Sequence, residues 1–411
     1  MKTTTDSSIQ RRLLHIVLFS FSAITAVAQT SSEKLSKALI ISGYENVRVA
    51  TTNSGTFVLL EDNLYQWNVG GIRSALDIIA TMEKKYPATL ILLKKGIPQI
   101  QINLSTPKWQ NNLNGANPTT AKEVDMEVTY KINDSWKLLR KIAPANPPEN
   151  KIDLVVYPQF GLQNTLLTQI YEIQLNIAPA IEVSLWPGML FTGQVIFPIV
   201  NQLGYEGDFI RPGFVTLSQE FRLPLQWFGR ATIGNFNANR YGADVCFNHP
   251  LNNNRWNISL NAGLTGSSHF YDGQWVTNEI NTLTWFAKAG YYYPKFNLQF
   301  DLSYGQYLNN DYGFRVDCTR HFGETTIGVY AMYTGSKSNG GFHFSVPLPT
   351  HKRGRKHSLR LVSSRYFDWE YNAGTEFYYG RYYETRPNEN RSEHWTNPIF
   401  IKSEMLKLIQ R

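Results

Sequence analysis

From Phe296 to Tyr304 hydrophobic and polar residues alternate without a break. Phe296, Leu298, Phe300, Leu302 and Tyr304 fall on one side, and Asn297, Gln299, Asp301 and Ser303 on the other. That period belongs to a strand with one apolar and one polar face. Ile173 to Leu185 repeats it, with Ile173, Leu175, Ile177, Ile181, Val183 and Leu185 opposing Gln174, Asn176, Glu182 and Ser184. Beyond Asp153 we count about fourteen strand-like runs, among them Gly213–Leu223, Trp256–Gly266, Thr284–Tyr293, Phe314–Arg320, Ile327–Thr334 and Phe342–Leu348. Two architectures need such repetition: a soluble β-sandwich, apolar inside, and an outer-membrane barrel, apolar outside.

Residues 29–149 differ in texture. Runs at Asn46–Thr51 and Gly55–Glu61 flank the turn Asn53-Ser54-Gly55. Ile72, Leu76, Ile79 and Ala80 recur at helical spacing within Gly71–Lys85. Two further strands, Thr89–Lys94 and Gln99–Leu104, enclose Lys95-Gly96-Ile97-Pro98, and Glu123–Ile132 reads as one more. This order predicts a small α+β domain. The proline-rich stretch Ala143–Pro148 reads as a stiff linker to the strand-rich remainder of the chain.

The choice between sandwich and barrel begins at the N-terminus. Lys2, Arg11 and Arg12 precede the apolar run Leu13–Val27 and the small-residue site Ala26-Val27-Ala28, the pattern of a cleavable signal peptide over residues 1–28. No other apolar stretch is long enough for a spanning helix, which needs roughly 20 residues. The formal charge of +8 falls to +6 once Lys2, Asp6, Arg11 and Arg12 leave, too small an excess to argue for nucleic acid in an exported chain. Charged residues make up 18%, below the roughly 25% of soluble domains, and aromatic residues 14%. Trp285, Tyr291–Tyr293, Tyr304, Tyr378, Tyr379, Tyr382 and Tyr383 gather near strand ends, where interfacial girdles belong. Long connections at Asn201–Pro212 and Ser267–Asn281 fall on one side by strand parity. The expected architecture is therefore an antiparallel outer-membrane barrel of about 12–14 strands over residues 150–383, with the α+β domain (29–149) in the periplasm and a C-terminal tail over 384–411. A secreted β-sandwich that binds glycans through its Tyr and Trp surfaces is the alternative.

In a barrel the polar face lines the lumen. The candidate lumen residues are Glu182, Glu220, Arg222, Asp244, Lys288, Asp301, Arg315 and Asp317, charges of both signs able to pair across strands. Lys352, Arg353, Arg355 and Lys356 form the densest basic patch, either a solvated turn or a contact for lipid phosphate, an acidic glycan or an acidic partner. Arg211, Arg222, Arg230 and Arg240 read either as solvated or cross-paired strand charges or as a site for an acidic polysaccharide. Cys246 and Cys318 read as buried thiols rather than as a disulfide. No HExxH, GxSxG or CxxC spacing occurs, so we expect no metal, no cofactor and no enzyme. Carboxylate pairs such as Glu370 with Glu376 are what any acid-containing chain offers.

Two stretches resemble the YjbH-type family of exopolysaccharide-locus proteins. One runs from Glu61-Asp62-Asn63-Leu64-Tyr65 through Gly71–Leu76 to Leu90–Pro98. The other runs from Arg211-Pro212-Gly213 through Gly234-Asn235-Phe236, Arg240-Tyr241-Gly242, His321–Glu324 and Gly328 to Gly340–Leu348. Gly234 and Gly242 would permit sharp strand reversals. The resemblance implies an outer-membrane barrel with a small α/β domain, without catalytic residues to transfer. Its expected role is in producing, exporting or assembling an exopolysaccharide or capsule. The expected partners are outer-membrane lipid, the exopolysaccharide itself and other envelope proteins of the locus. The last strand is expected near Phe377–Tyr383.

Overall fold

The computed structural model describes residues 31–82, 87–105, 126–164, 171–251, 254–349, 351–355, 357–373, 379–387 and 397–410. The proposed signal peptide therefore lies outside the described residues, as do Lys356, Glu376 and Tyr378.

A five-stranded sheet in the order β1-β2-β3-β4-β5 forms the N-terminal unit: β1 (Glu45–Thr52), β2 (Gly55–Glu61), β3 (Ala88–Lys94), β4 (Ile97–Leu104) and β5 (Met126–Thr129). Neighbours are antiparallel except β2 and β3, which run parallel. Between those two lies helix α2 (Asn68–Met82), which follows α1 over residues 31–41. The parallel pair needs such a crossover. The sheet is covered on both sides, which accounts for the near-continuous apolar runs of β2 and β3. Leu35, Leu39, Ile72, Leu76 and Ile79 pack on one face with Val58, Leu60, Leu90 and Ile102. Leu59, Ile91 and Leu93 meet Leu139 of α3 (Ser135–Leu139) on the other.

The second sheet has fifteen strands among the described residues. They are β6 (Ile152–Asn164), β7 (Tyr171–Ser184), β8 (Met189–Asn201), β9 (Arg211–Arg222), β10 (Phe228–Phe236), β11 (Arg240–Pro250), β12 (Trp256–Tyr271), β13 (Gln274–Thr277), β14 (Thr282–Tyr293), β15 (Leu298–Gln306), β16 (Tyr312–Phe322), β17 (Thr325–Thr334), β18 (Lys337–Pro347), β19 (Leu359–Ser363) and β20 (Tyr366–Asn372). From β6 to β18 each strand pairs antiparallel with the next, except that β13 folds back on β12. β19 pairs with β6 in parallel, and β20 pairs antiparallel with β18. Only Ser364 and Arg365 separate β19 from β20, so one segment pairs with both edges of the sheet. The Ser364 N–H donates to Val156 O (2.9 Å), and the rings of Phe160 and Trp369 lie 5.5 Å apart. The ladder itself does not close between β20 and β6 among the described residues. The parallel seam has a simple origin. With β19 and β20 counted as one interrupted strand, the path contains thirteen strands, and an odd number brings first and last together in the same direction.

Burial alternates without a break in β17 and less regularly in the other strands. In β17, Ile327, Val329 and Tyr333 are 52%, 58% and 54% exposed, whereas Thr326, Tyr330 and Thr334 are buried. In β15, Phe300, Leu302 and Tyr304 are exposed and Gln299 is buried. That strand starts at Leu298, two residues later than its alternation suggests. Pro294–Phe296 forms a 3-10 turn that Asn297 ends in the left-handed region (φ 51°). Gly234 and Gly242 also differ from expectation. They make no turn but face each other across β10 and β11 with φ of 140° and 147°, each pressed on a neighbouring backbone. The chain reverses at residues 237–239.

The long connections β8–β9 and β12–β14 do share an end, since Glu206 Oε1 lies 2.7 Å from His269 Nδ1. The last strand differs from the one expected near Phe377–Tyr383. Strand β20 ends at Asn372, and residues 379–387 instead run along the polar face. Gly380 N–H donates to Asp311 (2.8 Å), Tyr383 Oη to Asp244 (3.0 Å), and Arg386 reaches Glu220 (3.4 Å). Helix α4 (Pro398–Gln410) then places Ile401 and Met405 in the core of the N-terminal unit.

Candidate functional site

The polar residues of the large sheet and the N-terminal unit meet at the end where β6 begins. The turn between β3 and β4 makes one docking contact. Gly188 N–H donates to Lys95 O (2.6 Å), Lys95 Nζ pairs with Glu220 (3.2 Å), and Arg222 donates to Pro98 O (3.0 Å), Gln99 O (3.1 Å) and Tyr130 O. Gly96, at φ 76°, lies against Pro187, where a Cβ would have 3.0 Å. Glu61 holds this turn from behind, accepting from Lys95 N (2.7 Å), Gly96 N (3.0 Å) and Asn46 Nδ2 (2.9 Å). Burial pushes the Glu61 pKa up, against those donors.

The loop after β2 makes the other contact. Arg353 N–H donates to Leu64 O (2.6 Å), Arg360 Nη1 to Asn63 O (2.6 Å) and Gln66 N to His351 O (3.1 Å), while Gln66 donates to Arg365 O. Within that loop Asp62 Oδ1 accepts from Leu64 N (3.1 Å) and Tyr65 N (2.9 Å). Its burial raises the carboxyl to about 6. Within the N-terminal stretch that carries the family resemblance, Glu61–Tyr65 and Lys95–Pro98 thus contact the large sheet, whereas Gly71–Leu76 packs in the core of the N-terminal unit.

The candidate residues fall into three groups. Glu182, which accepts from Tyr157 Oη, and Glu220, Arg222 and Lys288 lie toward the N-terminal unit. Asp244 accepts from Asn261 (3.0 Å) and Tyr383, and Asp301 accepts from Gln299 (2.6 Å). Arg315 and Asp317 form a separate cluster. Arg315 grips Asp317 (2.8 Å) and Glu370 (2.7 Å) with its fork and lies 3.9 Å over the Tyr330 ring. Cross-paired charge, the plainer of the two readings for these strands, describes that cluster.

The basic turn is solvated only in part, with Lys352 exposed, Arg353 buried and Arg355 half-buried. Arg355 pairs with Glu45 (3.0 Å) and Asp153 (2.7 Å), and Lys352 lies 5.3 Å over the Tyr65 ring. Arg353 is only 6% exposed. Burial, followed by the charges of Arg365 and Arg360, lowers its pKa to about 9. Sequence reasoning overlooked Asp153, which receives both Arg355 and Arg360, and Glu45. Nothing local marks either residue, because their partners lie about two hundred or more positions away. Arg211 and Arg240 donate to nearby oxygens at Gly207 and Thr265. Cys246 and Cys318 are in no disulfide, and both are half-buried rather than fully buried. Tyr382, packed against Tyr307, Tyr330 and Met332, and Tyr383, which donates to Asp244, turn inward rather than joining a girdle, and Tyr379 lies against Gly335 in the β17–β18 turn. Outward aromatic contacts include Trp285 with Tyr304 (5.8 Å) near one end of the strands and Trp256 with Tyr291 (4.6 Å) near the other.

These features describe a mostly β chain dominated by one large antiparallel sheet with an apolar exposed face and a charged, buried one. A family model described as exopolysaccharide biosynthesis protein YbjH matches residues 214–353, which bears out the resemblance to the YjbH-type family. No curated protein matches. Among solved structures, the chain is similar to a loop L8 deletion mutant of OmpT, an outer membrane protein of Vibrio cholerae. The identity is 8% and the TM-score 0.27, covering 47% of this chain and 86% of that one. No helix among the described residues is long and apolar enough to cross a membrane, which leaves spanning by strands open.

Proposed function

We propose that the chain is an outer-membrane barrel protein, with its N-terminal unit in the periplasm, that acts without catalysis in producing, exporting or assembling an exopolysaccharide or capsule. The observation that carries this reading is the burial pattern of β17 and its neighbours, apolar side chains outward and polar side chains inward. Water offers no reason to expose Ile327, Val329 and Tyr333 in one row, whereas lipid does. A β-sandwich would bury that row between its sheets. The long connections β8–β9 and β12–β14 lie at the end opposite the N-terminal unit, where extracellular loops would stand. The two aromatic contacts fit interfacial positions. The family match supplies the exopolysaccharide context.

Outer-membrane lipid, the exopolysaccharide and other envelope proteins of the locus are the partners proposed. Fractionation with outer membranes, heat-modifiable migration on a gel, and altered surface polysaccharide in a deletion strain are the expected results. A monomer soluble without detergent that binds neutral oligosaccharides would favour the secreted glycan-binding alternative instead. Turnover of a glycan by the pure protein, lost in Glu220→Gln, would overturn the non-catalytic reading.

A further inference from the structure

A cavity of about 420 Å³ lies between the N-terminal unit and the polar face of the large sheet, within the roughly 300–1,000 Å³ range of small-ligand sites. Eleven lysines and arginines line it against five aspartates and glutamates. The acids are largely engaged within the protein. Asp153 takes Arg355 and Arg360, Glu220 takes Lys95 and Arg386, and Glu61 is filled by the turn it supports. Asp62 and Glu182 accept from backbone N–H groups and from Tyr157 Oη. Cationic donors are left over. Arg353 is 94% buried by its 6% exposure, yet its Nε and Nη1 have no hydrogen-bond partner, and Nε of Arg230 is likewise buried and unpartnered. A buried guanidinium on which the like charges of Arg365 and Arg360 act more strongly than the carboxylate of Glu182 is costly unless a further anion completes it. Guanidinium forks match carboxylate and phosphate oxygens.

We propose that this cavity is an anion-binding site that takes an acidic saccharide, with Arg353 and Arg230 gripping its carboxylate or phosphate. The anion part stands on the cavity alone; the saccharide part rests on the exopolysaccharide reading above.

The test is calorimetric titration of the full chain in a neutral detergent with tri-galacturonate, neutral maltotriose and inorganic phosphate. Tri-galacturonate should bind at least tenfold more tightly than maltotriose, and the R230Q/R353Q double variant should lose at least tenfold in that affinity. Lys352→Gln, in the same turn but pointing away, should bind as the parent does. Heat-modifiable migration reports whether the double variant is folded; should it fail, Arg353→Lys with salt dependence of the parent's affinity replaces it. Equal affinity for the two trisaccharides, or an unchanged double variant, overturns the site. Phosphate binding without tri-galacturonate binding overturns the saccharide assignment. Membrane fractionation is independent of all these outcomes, so a failed titration leaves the barrel reading intact and a failed fractionation does not decide the site.

Discussion

Arg315 and Glu370, 55 positions apart, meet through two hydrogen bonds of 3.2 and 2.7 Å that join β16 to β20 across β17 and β18. The same guanidinium takes Asp317, so one arginine balances two carboxylates on the buried face, and all three side chains are less than a fifth exposed. Arg315→Ala should destabilise the sheet by about 3–5 kcal/mol, because two carboxylates lose their counter-charge. Arg315→Lys should recover only part, since an ammonium cannot make both forks. The urea midpoint in detergent measures each.

Gly71 supports the loop that contacts Arg353. A Cβ there would fall 1.6 Å from Asp62 Oδ2. Gly71→Ala should therefore displace Asp62, at about 1–3 kcal/mol, and speed proteolysis of the N-terminal unit.

Asp62 also sets a pH dependence. Its folded pKa, about 6, lies above the ordinary 3.8. The folded form therefore holds the proton more tightly, and stability falls as pH climbs from about 4 to about 6. Asp62→Asn should flatten that slope in denaturant titrations across the same range.

Ile401 is fully buried in the N-terminal unit although it belongs to the last helix. Ile401→Ala should cost about 2–5 kcal/mol and release both segments to protease together, since they share one core.

Leu302 and Gln299 point to opposite faces of β15. With Cys246 and Cys318 replaced, a spin label at Leu302→Cys should be quenched by lipid-soluble oxygen, and one at Gln299→Cys should not. Equal quenching at both sites would contradict a lipid-facing sheet.

Alternation with a period of two was enough to assign Phe300, Leu302 and Tyr304 to one face and Gln299 and Asp301 to the other. Pattern also located β9 and β14 by alternation, α2 by helical spacing and β2 by a short apolar run bounded by turn residues, each to within a few residues. Glycine, proline and asparagine marked the turns, though Gly234 and Gly242 lie within paired strands, where each lets a neighbouring backbone approach closely.

Local matters are thus legible in the chain alone: which side chains share a face, and where strands begin and end. It took the folded molecule to bring Lys95 to Glu220, to turn Arg355 inward to Glu45 and Asp153, to put both sheet edges on one segment, and to complete the N-terminal core with α4. The physical reason is range. Periodicity is fixed by backbone geometry within a few residues, whereas these contacts depend on how a curled sheet of thirteen successive strands brings distant charges to one end.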